Sequence, residues 1–120
     1  MSWKISVALA RTPQAPSRAR EAVRGFLADV ASDDRINVEL AASELVSNAL
    51  RHGRGAVRMD LARFDDRLRL EVVDEGDGAA EVHRGPADET GGWGLRIVDA
   101  VSIRWGVFEG TTHVWCEIPL

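Results

Sequence analysis

Apolar and polar residues alternate at the start of the chain. Trp3, Ile5, Val7 and Leu9 are separated by Lys4, Ser6 and Ala8, the period-two pattern of a strand. Arg11-Thr12-Pro13-Gln14-Ala15-Pro16 ends it, because each proline fixes φ and removes a donor. Ser17 then suits a helix cap, and the pattern predicts a helix over residues 19–31. A second helix is predicted from Ser32 to about His52. Val38, Ala41, Ala42, Leu45, Val46 and Ala49 fall on one of its faces, at helical spacing. Asn37, Glu44, Asn48 and Arg51 lie on the other side, with Asn48 at the margin, and Gly53 and Gly55 stop the helix. Val57, Met59 and Leu61, then Leu68, Leu70 and Val72, alternate as two strands around an Asp65-Asp66 turn. Periodicity disappears from Asp74 to Gly92. A helix over 93–102 and a hairpin of 103–108 with 114–118, turning at Glu109-Gly110, complete the chain.

The predicted order is β-α-α-β-β-loop-α-β-β. No helix separates the two middle strands or the last two, so each pair should be antiparallel. That predicts an α+β fold, a two-layer sandwich with helices on one face of a mixed, mostly antiparallel sheet. The 120 residues suit one domain, 1–120, with a real core. The long irregular stretch is of the kind used for lids and binding loops.

Composition changes this picture little. Hydrophobic residues make up 45% and charged residues 28%, as in ordinary globular domains. The net charge of -4 gives no electrostatic reason to expect a nucleic-acid partner. A single cysteine, Cys116, cannot form an intrachain disulfide or a thiolate metal cage. The start, Met1-Ser2-Trp3-Lys4, lacks a signal peptide's apolar run, and no stretch reaches the roughly 20 apolar residues of a membrane span. The expectation is a cytoplasmic protein without direct nucleic-acid or membrane contact.

Three short motifs carry candidate chemistry. Glu44 and Asn48 in Glu44-Leu45-Val46-Ser47-Asn48 stack one helical turn apart, where a carboxylate and a carboxamide can hold a hard cation and a water. Asp74-Glu75-Gly76-Asp77-Gly78 follows a buried strand; the acid can accept from an amino group of a base, and the glycines allow a close backbone approach. Gly91-Gly92-Trp93-Gly94-Leu95 opens a helix, whose free amides and positive dipole end suit a phosphate. Alone, each has a plainer reading: a solvated helix face, an acidic turn, a glycine-rich linker.

Their order is more informative than any one of them. The sequence resembles the gyrase–histidine kinase ATP-binding superfamily, with its N box and two glycine boxes. Within it, the chain is most similar to the short bacterial anti-sigma factor serine/threonine kinases. Residues 44–53, 94–100 and 114–119 carry that similarity, which extends from about Ser17 to Leu120. The resemblance implies a Bergerat-type fold that binds ATP with Mg²⁺. Asn48 would ligate the metal, Asp74 would accept the adenine amino group, and Gly76 and Gly78 would shape the base pocket. Gly92, Gly94 and Leu95 would offer amides to phosphate, Thr112 would assist at the base, and Glu44 would be the general base on a serine hydroxyl.

The partners implied are a sigma factor and an anti-sigma factor antagonist, with a homodimer as the assembly. The alternative is a non-catalytic module that sequesters a sigma factor. Two places depart from the family pattern. His113 stands where a threonine commonly precedes the apolar residue of the last strand, and Asp88-Glu89-Thr90 stand where some of these kinases carry an arginine.

Overall fold

The structure, a computed structural model, describes residues 3–76, 93–108 and 113–120. In chain order the elements are β1 (Trp3–Leu9), α1 (Ala15–Phe26), α2 (Ser32–His52), β2 (Val57–Arg63), β3 (Arg67–Val73), α3 (Trp93–Val101), β4 (Arg104–Val107) and β5 (Val114–Pro119). The strands form one sheet in the order β1-β2-β3-β5-β4. Every described pair is antiparallel, so the α+β expectation holds.

Alternation decides which face is covered. Leu9, Val57, Met59, Leu61, Leu68, Leu70, Val72, Val114, Cys116 and Ile118 share one face and are buried. They join Ala19, Val23, Leu27, Val38, Ala41, Leu45, Val46 and Val98 of the helical layer in a single core. The predicted apolar face of α2 is buried at all six of its positions.

The first helix is where the structure departs from expectation. α1 begins at Ala15 after Gln14, not near Ala19 after Ser17, and ends at Phe26. Pro16 sits in its first turn, where a helix has no partner for that residue's N–H and the missing donor costs nothing. Leu27 leaves helical geometry at φ -113°, ψ 30°.

Among the described residues, no helix covers the opposite face of the sheet. Its residues include Lys4, Ser6, Arg58, Asp60, Arg67, Arg69, Glu71, Trp115, Glu117 and Arg104 by register. Glu117 is only 4% exposed. Its carboxylate accepts from Arg67 Nε at 3.0 Å, Arg69 Nη1 at 3.1 Å and Arg104 Nη2 at 3.1 Å. Burial pushes the Glu117 carboxyl up; the Arg104 hydrogen bond and charge, with Arg67 and Arg69, outweigh it and hold the group below its ordinary value. Arg69 also stacks over the Trp115 ring at 4.5 Å.

Trp105 and Trp3 differ. The Trp105 indole N–H donates to Asp99 Oδ1 at 2.8 Å. Trp3 lies on the edge strand and is 62% exposed.

Candidate functional site

The site is built around the C-terminal end of α2. Glu44 and Asn48 lie one turn apart on this helix and are both half-buried. Their neighbours Leu45, Val46 and Ala49 anchor the helix in the core, which fixes the direction in which positions 44 and 48 project.

Asp74 follows the last residue of β3. Its Oδ1 accepts the Gly76 N–H at 2.6 Å, a local turn that Asp is suited to make. The carboxylate lies directly against Gly53: a Cβ there would overlap Asp74 Oδ2 and lie 2.7 Å from the Ala49 carbonyl oxygen. Gly53, which the pattern explains as a helix stop, therefore also makes room for the acid. One residue on, Glu75 N–H donates to Arg54 O at 2.8 Å, and the Glu75 side chain packs against Gly55, whose φ is +66°.

The third motif lies at the start of α3. Gly94 and Leu95 are in the first turn of that helix, and the Leu95 side chain is buried at 7% exposure. α3 packs on α2. The helix bearing Glu44 and Asn48 thus ends against the loop that carries Asp74 and packs on the helix that begins at Trp93. Gly78, Gly92 and Thr112, and the acidic run 88–90, lie outside the described residues.

The His113 side chain is drawn towards Glu71. Its Nε2 is 2.9 Å from Glu71 Oε2, and its ring lies 4.3 Å from that of Phe108. Glu71 belongs to the helix-free face of the sheet, whereas Asp74 packs against α2.

One contributor escaped the sequence reading altogether. Arg11, in the loop between β1 and α1, donates from Nη2 to Ala49 O at 3.1 Å, from Nη1 to Leu50 O at 3.0 Å and from Nε to Gly55 O at 2.9 Å. A lone arginine in a proline-containing loop has no motif to announce it. Its partners lie 38 to 44 residues away.

Among the described residues, no three His, Cys, Asp or Glu side chains gather as a metal site. Mg²⁺ keeps several waters and takes phosphate oxygens with one or two protein ligands, a demand that the single half-buried Asn48 carboxamide fits. Two cavities, of about 440 Å³ beside Ser6, Asp60 and Arg69 and about 580 Å³ beside Trp3, Phe26 and Phe64, are not lined by Glu44, Asn48 or Asp74. No helix among the described residues is long and apolar enough to cross a membrane.

The histidine kinase-like ATPase domain family matches residues 9–114. No curated protein matches the chain. Among solved structures, the chain is similar to the crystal structure of the RsbU and RsbW domains of Rv1364c from Mycobacterium tuberculosis. Identity is 22% and the TM-score 0.71, over 98% of this chain and 31% of that one. The likeness supports the fold, and the chain spans about a third of the neighbour's length.

Proposed function

The chain belongs to the histidine kinase-like ATPase domain family, and from that membership we propose that it binds Mg-ATP and passes the terminal phosphoryl group to a serine of a protein partner. The observation that carries this reading is the seat of Asp74. Its carboxylate is pinned by the Gly76 N–H and pressed on Gly53, at the end of the helix that presents Glu44 and Asn48. An aspartate held this way offers an acceptor of fixed direction to an exocyclic amino group.

The residues divide the work. Asp74 accepts from the adenine, and Gly76 and Gly78 let the backbone approach it, with Thr112 assisting. Gly92, Gly94 and Leu95 give amides to phosphate at the start of α3, where the helix dipole favours negative charge. Asn48 would hold Mg²⁺, which when bound would neutralise phosphate charge. Glu44, one turn from Asn48, takes the proton of the serine hydroxyl as its oxygen attacks the terminal phosphorus and ADP leaves. Positioning and charge neutralisation supply most of the rate in such transfers. The similarity of residues 44–53, 94–100 and 114–119 to the anti-sigma factor kinases supports an anti-sigma factor antagonist as the phosphate acceptor and a sigma factor as the second partner. A homodimer in the cytoplasm completes the reading; sedimentation velocity that finds only monomer at micromolar concentration would remove the dimer.

The test is calorimetric titration of Mg-ATP into the wild type and Asp74→Asn. The carboxamide loses the charge and half the acceptor capacity, so affinity should fall by about 1.5–3 kcal/mol, roughly ten- to a hundredfold. A wild type that binds no ATP sinks the reading. Phosphoryl transfer that survives in Glu44→Ala sinks the base assignment alone.

A further inference from the structure

The C-terminal end of an α-helix is a chemical problem. Its last four carbonyls have no intrahelical partner, and they carry the negative end of the helix dipole. In α2 the Gly53 N–H closes on Ala49 O at 2.9 Å. Ala49 O and Leu50 O also accept from Arg11, and so does Gly55 O beyond the bend. Three donors of one rigid guanidinium fork thus span the last helical turn and the chain that leaves it. Lysine, a single ammonium on a flexible stem, cannot hold three separated carbonyls in this way.

Arg11 is itself fixed in place. β1 ends with Leu9 paired to Val57, two residues beyond Gly55, so the loop begins beside the bend it clamps. Within the loop, Thr12 N–H donates to Ala10 O at 2.8 Å and Ala15 N–H to Thr12 O at 3.0 Å. The clamped bend is the surface on which the Asp74 loop rests: the Asp74 carboxylate against Gly53, the Glu75 N–H on Arg54 O and the Glu75 side chain against Gly55.

We propose that Arg11 is a positioning residue of the nucleotide site: by clamping the end of α2 to the bend at 53–55 it sets where Asp74 and Asn48 stand. The assignment rests on the nucleotide reading given above. Its effect on the site passes through the carbonyl oxygens of α2 and the bend that it holds.

The experiment compares Mg-ATP affinity by calorimetry in the wild type, Arg11→Ala, Arg11→Lys and Arg63→Ala. Arg63 is the control. It pairs with exposed Asp29 at 2.7 and 3.0 Å at the far end of β2, about 20 Å along the strand from Val57. Arg11→Ala should bind Mg-ATP about tenfold more weakly, Arg11→Lys should fall between it and wild type, and Arg63→Ala should match wild type. Amide hydrogen exchange at Gly53 without nucleotide should be at least several-fold faster in Arg11→Ala.

Arg11 variants that unfold more readily yet bind Mg-ATP with wild-type affinity would overturn the proposal, because a purely structural role leaves the folded site intact. Unchanged exchange at Gly53 would overturn it as well. A wild type that fails to bind at all is a different result, since it removes the nucleotide reading and this role with it. Arg11→Lys keeps the test open if Arg11→Ala does not fold.

Discussion

Asp74 presses its carboxylate against Gly53, and a methyl group there would overlap it. A second glycine makes the contrast: a Cβ at Gly25, inside α1, would meet nothing within 4 Å. Chemical denaturation should therefore give opposite signs for one substitution. Gly25→Ala should stabilise by about 0.5–1 kcal/mol, through lower chain entropy in the unfolded state. Gly53→Ala should destabilise by about 1–3 kcal/mol through overpacking and weaken ATP binding as Asp74 shifts. Gly53→Ala that matches wild type in both would mean the carboxylate can move aside freely.

Much of the candidate site was legible at this scale, because Asp74, Gly76, Glu44 and Asn48 sit in short spaced motifs, and the structure sets Asp74 beside the end of the helix that bears Glu44 and Asn48. Arg11 was not, because its contacts depend on Leu9 meeting Val57 across two strands. His113 was legible only in part, for a related reason. The spacing to Val114 is visible in sequence, but the pull of Glu71 on the other side of the sheet is not.

An element announces itself when one face is apolar throughout. α2 does so from Val38 to Ala49, and its predicted bounds match the observed Ser32–His52. Two leucines on this helix test the packing directly. Leu45 is 2% exposed within the core and Leu40 is 42% exposed on the other side. Leu45→Ala should cost about 2–4 kcal/mol in unfolding free energy, and Leu40→Ala within about 0.5 kcal/mol. Equal losses would contradict the observed rotation of the helix. α1 was legible only in part. Its prolines resemble a break, yet Pro16 belongs to the first turn, and nothing local distinguishes a proline that ends a loop from one that starts a helix. The alternating strands were found within one or two residues. Their order was not, since β5 lies between β3 and β4 through pairings that no local pattern encodes.

For the molecule as a whole, the helix-free face of the sheet ties stability to acid. The Glu117 carboxyl is held below its ordinary value of 4.5. A depressed folded value means that the contribution is fully present above the unfolded value and is lost as pH falls through the folded one. The unfolding free energy should be nearly flat from about pH 7 to about pH 5 and then decline, with part of the decline missing in Glu117→Gln. An equally steep decline in both proteins would assign the acid sensitivity to other carboxylates. The exposed Asp29–Arg63 pair should matter little here, since screened surface pairs are weak.

Cys116 lies opposite Leu70 in the middle of this sheet and is fully buried. Burial pushes its thiol up to about 12, so at neutral pH it is neither ionised nor within reach of a reagent. The native protein is in effect thiol-silent. A single cysteine introduced at an exposed position such as Glu75, beside Asp74, would take a maleimide dye or spin label alone, with no need to replace the natural cysteine. The same sheet that closes the core thus leaves a clean background for optical or magnetic reporters of events at the nucleotide site.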